Sequence, residues 1–259
     1  MNIAEAFCQF SEKNIKSSTA AQEYIAKRQW NEETVKLWRL GHIEQNRLLE
    51  LKAFLIDNKI SAQDLEDNYY TFKGDKSFLF NRIIFPIFDS FGEAVGVSGR
   101  CLDDSKPKYF NTSFNKMESL FGLNLTKHAI RKENTVYVFE GYADVITAYQ
   151  NGMQNVVGCM GVVLSQDQLS LLSHYCENIV LVFDNDAGGE KGRKLFNKKK
   201  LDTDFDSLWK DDSVKIYRAI LNKHKDPDEY IKIEGSGKLK EFLNSCMMDN
   251  KMQKLLRGV

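Results

Sequence analysis

Five carboxylates follow predicted β-strands in the second half of the sequence. They are Glu140, Asp184, Asp186, Asp226 and Asp228. Like charges that meet at one edge of a sheet raise one another's pKa, and divalent cations relieve this conflict. Oxygen ligands without His or Cys nearby favour Mg²⁺, with Mn²⁺ as an alternative, over zinc. Metal ions held in this way suit phosphate chemistry, because two of them can bind the attacking and leaving oxygens of an in-line displacement.

Two simpler interpretations of these acids must be weighed. Asp184, Asn185 and Asp186 begin like a calcium-binding loop, but Leu195 occupies the position of the final Glu ligand, so we reject an EF-hand. Any one of the acids can instead cap a helix or be solvated. Their occurrence at successive strand ends favours a shared metal site.

Alternating strands and helices are expected to position the acids. From Thr135 the apolar runs VYVFE, NVVGC, NIVLVFD and VKIYRAI alternate with helical segments, which predicts a parallel sheet with helices on its faces. Ser165 and Gln168 form a predicted capping box. Ligands bind beyond the carboxyl ends of parallel strands, so the acids are expected at one edge. The helices are predicted over 143–150, 166–175, 189–199 and from 237 to 247.

The N-terminal part of the chain predicts helices followed by a β-hairpin. Gly41 is expected to end one helix and Ser61 to cap another. The segment 81–100 reads as two strands around a tight turn, and Pro86 requires its strand to be an edge or bulged one. Arg82 and Arg100 then lie at the same end of the hairpin. Apolar spacing places the helices over 20–28, 32–40, 43–56 and 62–67.

The composition is typical of a globular protein with a buried core. The 259 residues include 36 Lys+Arg and 36 Asp+Glu, and 42% are hydrophobic. The five cysteines are widely spaced without a C-x-x-C pair, which predicts no disulfide framework and no zinc site. Because we find neither a signal peptide nor a membrane-length apolar run, we expect a soluble, cytoplasmic protein without membrane association. The zero net charge argues against a nucleic-acid binder unless charges are segregated on the surface.

Two stretches of the second half resemble the TOPRIM domain. VYVFEGYADVITAYQNG carries an E-G-x-x-D signature, and IVLVFDNDAGGEKGRKLF carries a D-x-D-x-A-G signature. Upstream, RIIFPIFDSFGEAVGVSGR, KPKYFNTS and LFGL resemble the catalytic core of bacterial DnaG-type DNA primases, including phage relatives. The resemblance runs from about residue 23 to residue 235. It implies an α/β fold in which a TOPRIM-type parallel sheet follows a helical and β-hairpin subdomain.

The resemblance also implies roles for the acids. Glu140 matches the acidic residue implicated in catalysis, where it acts as a base or as a metal ligand, and Asp144 matches the supporting acid that ends the first signature. Asp184, Asp186, Asp226 and Asp228 match the metal-binding acids, together with Glu140. The implied cofactor is Mg²⁺, or Mn²⁺, with no zinc.

A set of basic and polar residues matches the family surface that guides template and nucleotide. Tyr109, together with Phe110, can stack on single-stranded bases, although packing within the hairpin is an equal alternative. The set comprises Arg82, Arg100, Lys108, Tyr109, Asn111 and Lys116.

By resemblance, we expect a DNA primase, a nucleotidyltransferase that makes short RNA primers on single-stranded DNA from NTPs during replication. The alternatives are a TOPRIM nuclease and a non-catalytic replication accessory subunit. Family members usually carry an N-terminal zinc-binding module, which the cysteines here do not supply. A separate zinc-bearing primase subunit and a replicative helicase are therefore candidate partners. The expected organisation is an N-terminal subdomain over 1–130, the TOPRIM domain over 131–235 and a short C-terminal helix over 236–259.

Overall fold

The computed structural model describes residues 1–70, 77–103, 106–161, 164–185, 214–221 and 223–256. It divides into two compact units, Met1–Asn115 and Lys116–Val259. The acid Asp186 and the predicted helix over 189–199 lie outside the described residues. Within the described ranges, no helix is both long and apolar enough to cross a membrane.

In the described part of the first unit, five α-helices pack against an antiparallel sheet. The sheet order is β1-β2-β3-β4. Its buried core includes Phe7 of α1, Leu51 of α4 and Ile84 of β2. The elements are α1 Ile3–Asn14, α2 Thr19–Arg28, α3 Glu32–Leu37, β1 Gly41–His42, α4 Leu48–Asp57, α5 Ala62–Asp67, β2 Arg82–Phe88, β3 Ala94–Cys101 and β4 Tyr109–Asn111.

The hairpin prediction is confirmed in its register. Arg82 pairs with Cys101 and Ile83 pairs with Arg100, so the two arginines lie at the same end of the hairpin. Pro86 is tolerated because β1 pairs with β2 only as far as Ile84, so no strand in the described part of the chain pairs with the outer side of Pro86. A register shift follows one residue later.

Two helix predictions in this unit are wrong at their boundaries. The helix predicted over 32–40 is α3, which ends at Leu37 because Arg39 adopts a left-handed conformation (φ 52°) before Gly41 is reached. Gly41 instead forms β1, where a Cβ atom would lie 2.1 Å from Ser11 Oγ. The carbonyl of Ile43 accepts a hydrogen bond from the Asn81 amide at 2.8 Å, and a short 3-10 helix over Gln45–Arg47 follows, so the α-helix begins only at Leu48.

The second unit alternates strands with helices, as the sequence predicts. All three strand pairs of its sheet are parallel, in the order β6-β5-β7-β8. The capping box of Ser165 and Gln168 is present, and Asn151 caps the end of α7. The elements are α6 Leu123–Glu133, β5 Thr135–Phe139, α7 Tyr142–Gln150, β6 Val156–Gly158, α8 Gln166–Ser173, β7 Asn178–Phe183, β8 Lys215–Ile220, α9 Pro227–Glu234 and α10 Ser236–Leu256.

Strand alternation explains why this sheet needs helices on both faces. Val136 and Val138 point into one core, which also contains Leu172 of α8 and Ile130 of α6. Tyr137 lies between these valines in sequence and points to the other face, where its hydroxyl donates to Asn244 Oδ1 of α10 at 2.7 Å. Both faces of the sheet are therefore covered by helices, so the ends of its strands are where we expect a ligand to bind.

The strand order contains one reversal. The chain leaves β5 for β6 on one side, whereas it leaves β7 for β8 on the other side. In open parallel sheets, a crevice forms between two such strands at their carboxyl ends, and this is where ligands bind. The gap between β5 and β7 is therefore the expected position of a ligand site.

Candidate active site

Glu140 and Asp184 lie at the two sides of this crevice. Glu140 directly follows β5 and Asp184 directly follows β7, two strands paired in register through Val138 and Leu181. Both residues are half-buried. The Asp184 amide points at Glu140 Oε1, with an N···O distance of 3.4 Å. The structure thus brings together two of the predicted metal-binding acids.

The thiol of Cys159 lies at the same edge, after β6. Its Sγ donates to the carbonyl of Gly161 at 3.0 Å. Burial, assisted by the nearby carboxylates of Glu140 and Asp184, raises the pKa of Cys159 to about 12. A small cavity at this edge is lined by Glu140, Cys159 and Leu164. The thiol therefore stays protonated, and the charged oxygen donors among the described residues lining this cavity are those of Glu140.

Lys116 brings a positive charge to the same edge. Its Nζ lies 3.5 Å from the carbonyl of Met160, next to Cys159. Burial lowers the pKa of Lys116, and electrostatic interaction with Cys159 opposes that shift. The backbone beneath it is fixed by Gln168, whose Nε2 donates to the Lys116 carbonyl at 3.0 Å and to the Cys159 carbonyl at 3.2 Å. Lys116 is thus a partly desolvated cation beside the carboxylate edge.

The E-G-x-x-D signature has a structural explanation. Gly141 precedes α7, and a Cβ atom at this position would lie 2.4 Å from Asp144 Oδ2. Asp144 is buried, and its Oδ1 accepts a hydrogen bond from the Asp228 amide at 3.1 Å. A side chain at position 141 would therefore have to displace the folded-back carboxylate of Asp144. Asp144 joins α7 to α9.

Asp226 and Asp228 make contacts that stabilise α9. Asp226 is its N-cap, and its Oδ1 accepts from the Glu229 amide at 2.9 Å. Asp228 is buried; its Oδ1 accepts from Thr147 Oγ1 at 2.6 Å, and its Oδ2 forms an ion pair with Lys232 at 2.9 Å. Both acids thus have the helix-stabilising contacts that the sequence offered as an alternative to metal binding.

Among the residues that the structure describes, no three His, Cys, Asp or Glu side chains are grouped to hold a metal ion. Glu140 and Asp184 follow neighbouring strands at one edge of the sheet, Asp226 and Asp228 lie at the start of α9, and Asp186 lies outside the described ranges. The five-acid metal set therefore stays a prediction. Two carboxylates nevertheless fit Mg²⁺, which commonly binds proteins through one or two carboxylates while water and substrate phosphates complete its shell.

Arg82, predicted to face template or nucleotide, is buried in the first unit. Its Nη1 donates to the carbonyls of Gly99 at 3.2 Å, Pro107 at 2.8 Å and Lys108 at 3.2 Å. Buried carbonyls need such partners. Arg82 therefore fixes the segment that carries Lys108, whose own side chain is exposed.

Arg100 lies on the opposite face of the hairpin from Arg82, because Arg82 pairs with Cys101, the neighbour of Arg100. Its Nη1 donates to the Tyr109 hydroxyl at 2.8 Å. Its guanidinium lies 5.3 Å from the ring centre of Tyr24 and 5.4 Å from that of Tyr109. Asn111 follows two residues after Tyr109 on the same face and is half-buried.

Sequence reasoning missed three residues of these networks. Gln168 was predicted as a capping residue, but its side-chain amide also donates hydrogen bonds to three carbonyls. These are the carbonyls of Lys116 and Cys159, described above, and that of Ser119 at 2.7 Å. Thr147 lies three residues after Asp144 on α7, so helical spacing could have indicated it. Tyr24 comes from α2, and no sequence pattern connects it with Arg100.

Two family models match the chain in the order of its two units. The N-terminal domain of the DNA primase catalytic core matches residues 10–127. A Toprim-like domain matches residues 137–231.

Relatives and solved structures agree with these matches. The DNA primase of Clostridium acetobutylicum is 31% identical over 250 residues, covering 91% of this chain and 38% of that protein. The DNA primase of Aquifex aeolicus is 30% identical over 245 residues, covering 92% and 47%. A crystal structure of the Aquifex aeolicus primase, with its zinc-binding and RNA polymerase domains, has a TM-score of 0.80 at 30% identity, covering 93% of this chain and 59% of that one.

A DnaG primase catalytic domain bound to single-stranded DNA has a TM-score of 0.74 at 23% identity, covering 93% of this chain and 79% of that one, and it shows the shared fold. The chain spans less than half the length of the two curated relatives, 38% and 47%. The family matches cover both of its units. The chain belongs to the family of DnaG-type primase catalytic cores with a Toprim-like domain.

Proposed function

We propose that this chain is the catalytic core of a DNA primase, a nucleotidyltransferase that makes short RNA primers on single-stranded DNA. The observation that carries the proposal is the position of Glu140 and Asp184, which follow the two strands at the reversal of strand order in a Toprim-like domain. The primase core domain that precedes it favours priming over hydrolysis of DNA.

In the proposed reaction, the 3′-hydroxyl of one nucleotide attacks the α-phosphate of the next, and pyrophosphate leaves. Glu140 and Asp184 hold a Mg²⁺ ion through their carboxylate oxygens. When bound, the ion supplies electrostatic stabilisation of the charge that develops on the phosphate oxygens. Lys116 binds the triphosphate from the same edge, where partial burial strengthens its interaction with an anion.

Primer synthesis on single-stranded DNA with labelled NTPs and Mg²⁺ tests the proposal. We expect primers from the parent protein and at least a hundredfold less product from Glu140→Gln and Asp184→Asn, since both remove charge that binds the ion. Glu177→Gln is the matched control, because Glu177 is an exposed acid just before β7, at the opposite end of the strand that leads to Asp184.

Equal product from the parent and both site variants would refute the proposed roles of Glu140 and Asp184. Cleavage of DNA without incorporation of nucleotides would identify a nuclease instead. If the parent is inactive alone, addition of a zinc-bearing primase subunit tests whether the activity requires that partner.

A further inference from the structure

Lys116 is the first residue of the second unit and lies in a turn. Residues 116–120, all of which the structure describes, belong to no helix or strand. The far end of this segment is held to the sheet, because Phe121 and Gly158 exchange two backbone hydrogen bonds, of 2.9 Å and 3.0 Å. The position of Lys116, at the near end, therefore depends on contacts with other side chains.

The capping box of α8 makes such contacts. Gln168 is 2% exposed, and its Oε1 accepts from the Ser165 amide at 2.9 Å, which closes the box. Its Nε2 donates to the carbonyls of Lys116 at 3.0 Å, Ser119 at 2.7 Å and Cys159 at 3.2 Å. One buried amide thus holds the segment at Lys116 and at Ser119.

The hydroxyl of Ser165 holds the same segment. It accepts from the Gln168 amide at 2.9 Å and donates to the carbonyl of Met117. Glu can also close a capping box, but a carboxylate has no N–H group to offer to carbonyls. Glutamine at this position therefore serves the segment as well as the helix.

The side chain of Lys116 approaches the loop that Gln168 also binds. Its Nζ lies 3.5 Å from the carbonyl of Met160, the residue after Cys159. Gln168 therefore joins the backbone that carries Lys116 to the loop that Nζ contacts. Cys159, in that loop, lines the same small cavity as Glu140. Loss of the amide would release Lys116 relative to this loop.

We infer that Gln168, through the capping box of α8, sets the position from which Lys116 binds the triphosphate of the incoming nucleotide. The inference rests on the proposed function, which assigns the triphosphate to Lys116. Gln168 is a positioning residue, because its polar atoms bind the protein backbone and its effect on the nucleotide passes through Lys116.

The test measures binding of the fluorescent nucleotide mant-ATP, with Mg²⁺, to the full chain. We expect Lys116→Ala and Gln168→Leu each to bind about tenfold more weakly, because a hydrogen bond from a charged group to phosphate is lost or misplaced. A double variant that combines both changes should bind no more weakly than Lys116→Ala alone, since both changes remove the same contact. In primer synthesis, Gln168→Leu should raise KM for NTPs about tenfold and keep kcat within about threefold of the parent.

Leu172→Ala is the matched control for lost stability, because Leu172 lies on α8 and is buried in the core of the second unit. It removes packing but leaves the capping box intact, so it should bind mant-ATP like the parent. If Gln168→Leu fails to fold, Gln168→Met decides, since it keeps a long unbranched side chain and lacks the amide donor.

Equal binding of mant-ATP by Gln168→Leu and the parent, or additive losses in the double variant, would overturn the inference and leave the proposed function standing. Coupled losses in a protein that binds mant-ATP but makes no primers would support the inference and refute the proposed reaction. A parent that does not bind mant-ATP would overturn the inference, and primer synthesis would then decide the proposed function separately.

Discussion

Replacing Asp228 by alanine should destabilise the protein in the absence of any metal. The variant removes the acceptor of the Thr147 hydroxyl, which is 2% exposed, and the partner of Lys232. A hydrogen bond to a charged group contributes about 1.5–3 kcal/mol. The ion pair with the partly exposed Lys232 adds up to about 1 kcal/mol. We therefore expect the free energy of unfolding to fall by about 2–4 kcal/mol.

The measurement is urea unfolding followed by circular dichroism, with EDTA present to remove divalent cations. Asp228→Asn should lose only about 1 kcal/mol, because its amide oxygen still accepts from Thr147 as a neutral group. A double-mutant cycle with Thr147→Val should be non-additive, since both changes remove the same hydrogen bond. Asp226→Asn is the control and should stay within about 0.5 kcal/mol, since Asn is as good an N-cap as Asp.

An Asp228→Ala protein as stable as its parent in EDTA would refute the structural role of this carboxylate. Hydrogen exchange of the amides in α7 and α9 should locate the loss of stability, because Asp228 joins these two helices. Uniform protection in the variant and the parent would contradict the same reasoning independently.

Three further predictions concern other contacts. Gly141→Ala should lower the free energy of unfolding by about 1–3 kcal/mol in urea titrations, since its Cβ atom would lie 2.4 Å from Asp144 Oδ2; an unchanged value would contradict the close approach. Gln168→Leu should cost about 2–4 kcal/mol in the same assay, because it removes the donor to three carbonyls; Asp167→Asn, on the neighbouring residue, serves as its control. Burial lowers the pKa of His42, so the contribution of the neutral imidazole to stability is present above pH 6.5 and is lost as the pH falls towards the lowered pKa. His42→Gln should flatten the curve of unfolding free energy against pH in this range. A variant curve parallel to that of the parent would contradict the assignment to His42.

The fold of the second unit could be predicted from sequence because its signals are local. Continuous apolar runs mark strands buried on both faces, and Ser165 with Gln168 marks a helix start. The edge that carries Glu140 and Asp184 then follows from parallel pairing alone. In the first unit, β1 was missed because two residues are too few for a periodic signal. The end of α3 was missed because Arg39 adopts a left-handed conformation without being glycine, in a position where its guanidinium binds Glu5 and Glu12.

The roles of the charged residues were harder to predict, because a charge in a sequence does not reveal what surrounds it. Arg82 and Arg100 were both expected to face template or nucleotide, yet one is buried against carbonyls and the other lies between two tyrosine rings. Asp228, assigned to metal by resemblance, has contacts with Thr147 of α7 and Lys232 of α9 that its sequence position does not reveal. These partners come from distant parts of the chain and are visible only after folding.

The three carbonyls held by Arg82 limit which substitutions this family surface can accept over evolutionary time. Lysine is a poor replacement at this position, because burial disfavours a charged ammonium on a flexible stem, whereas the pre-organised guanidinium that reaches the carbonyls of Gly99, Pro107 and Lys108 through Nη1 stays charged. At Lys108, whose side chain is exposed, either basic residue can serve. Drift among homologues should therefore be asymmetric, with exchange between lysine and arginine tolerated at position 108 and selected against at position 82. Two cations of equal charge at one end of a hairpin are thus under different kinds of constraint.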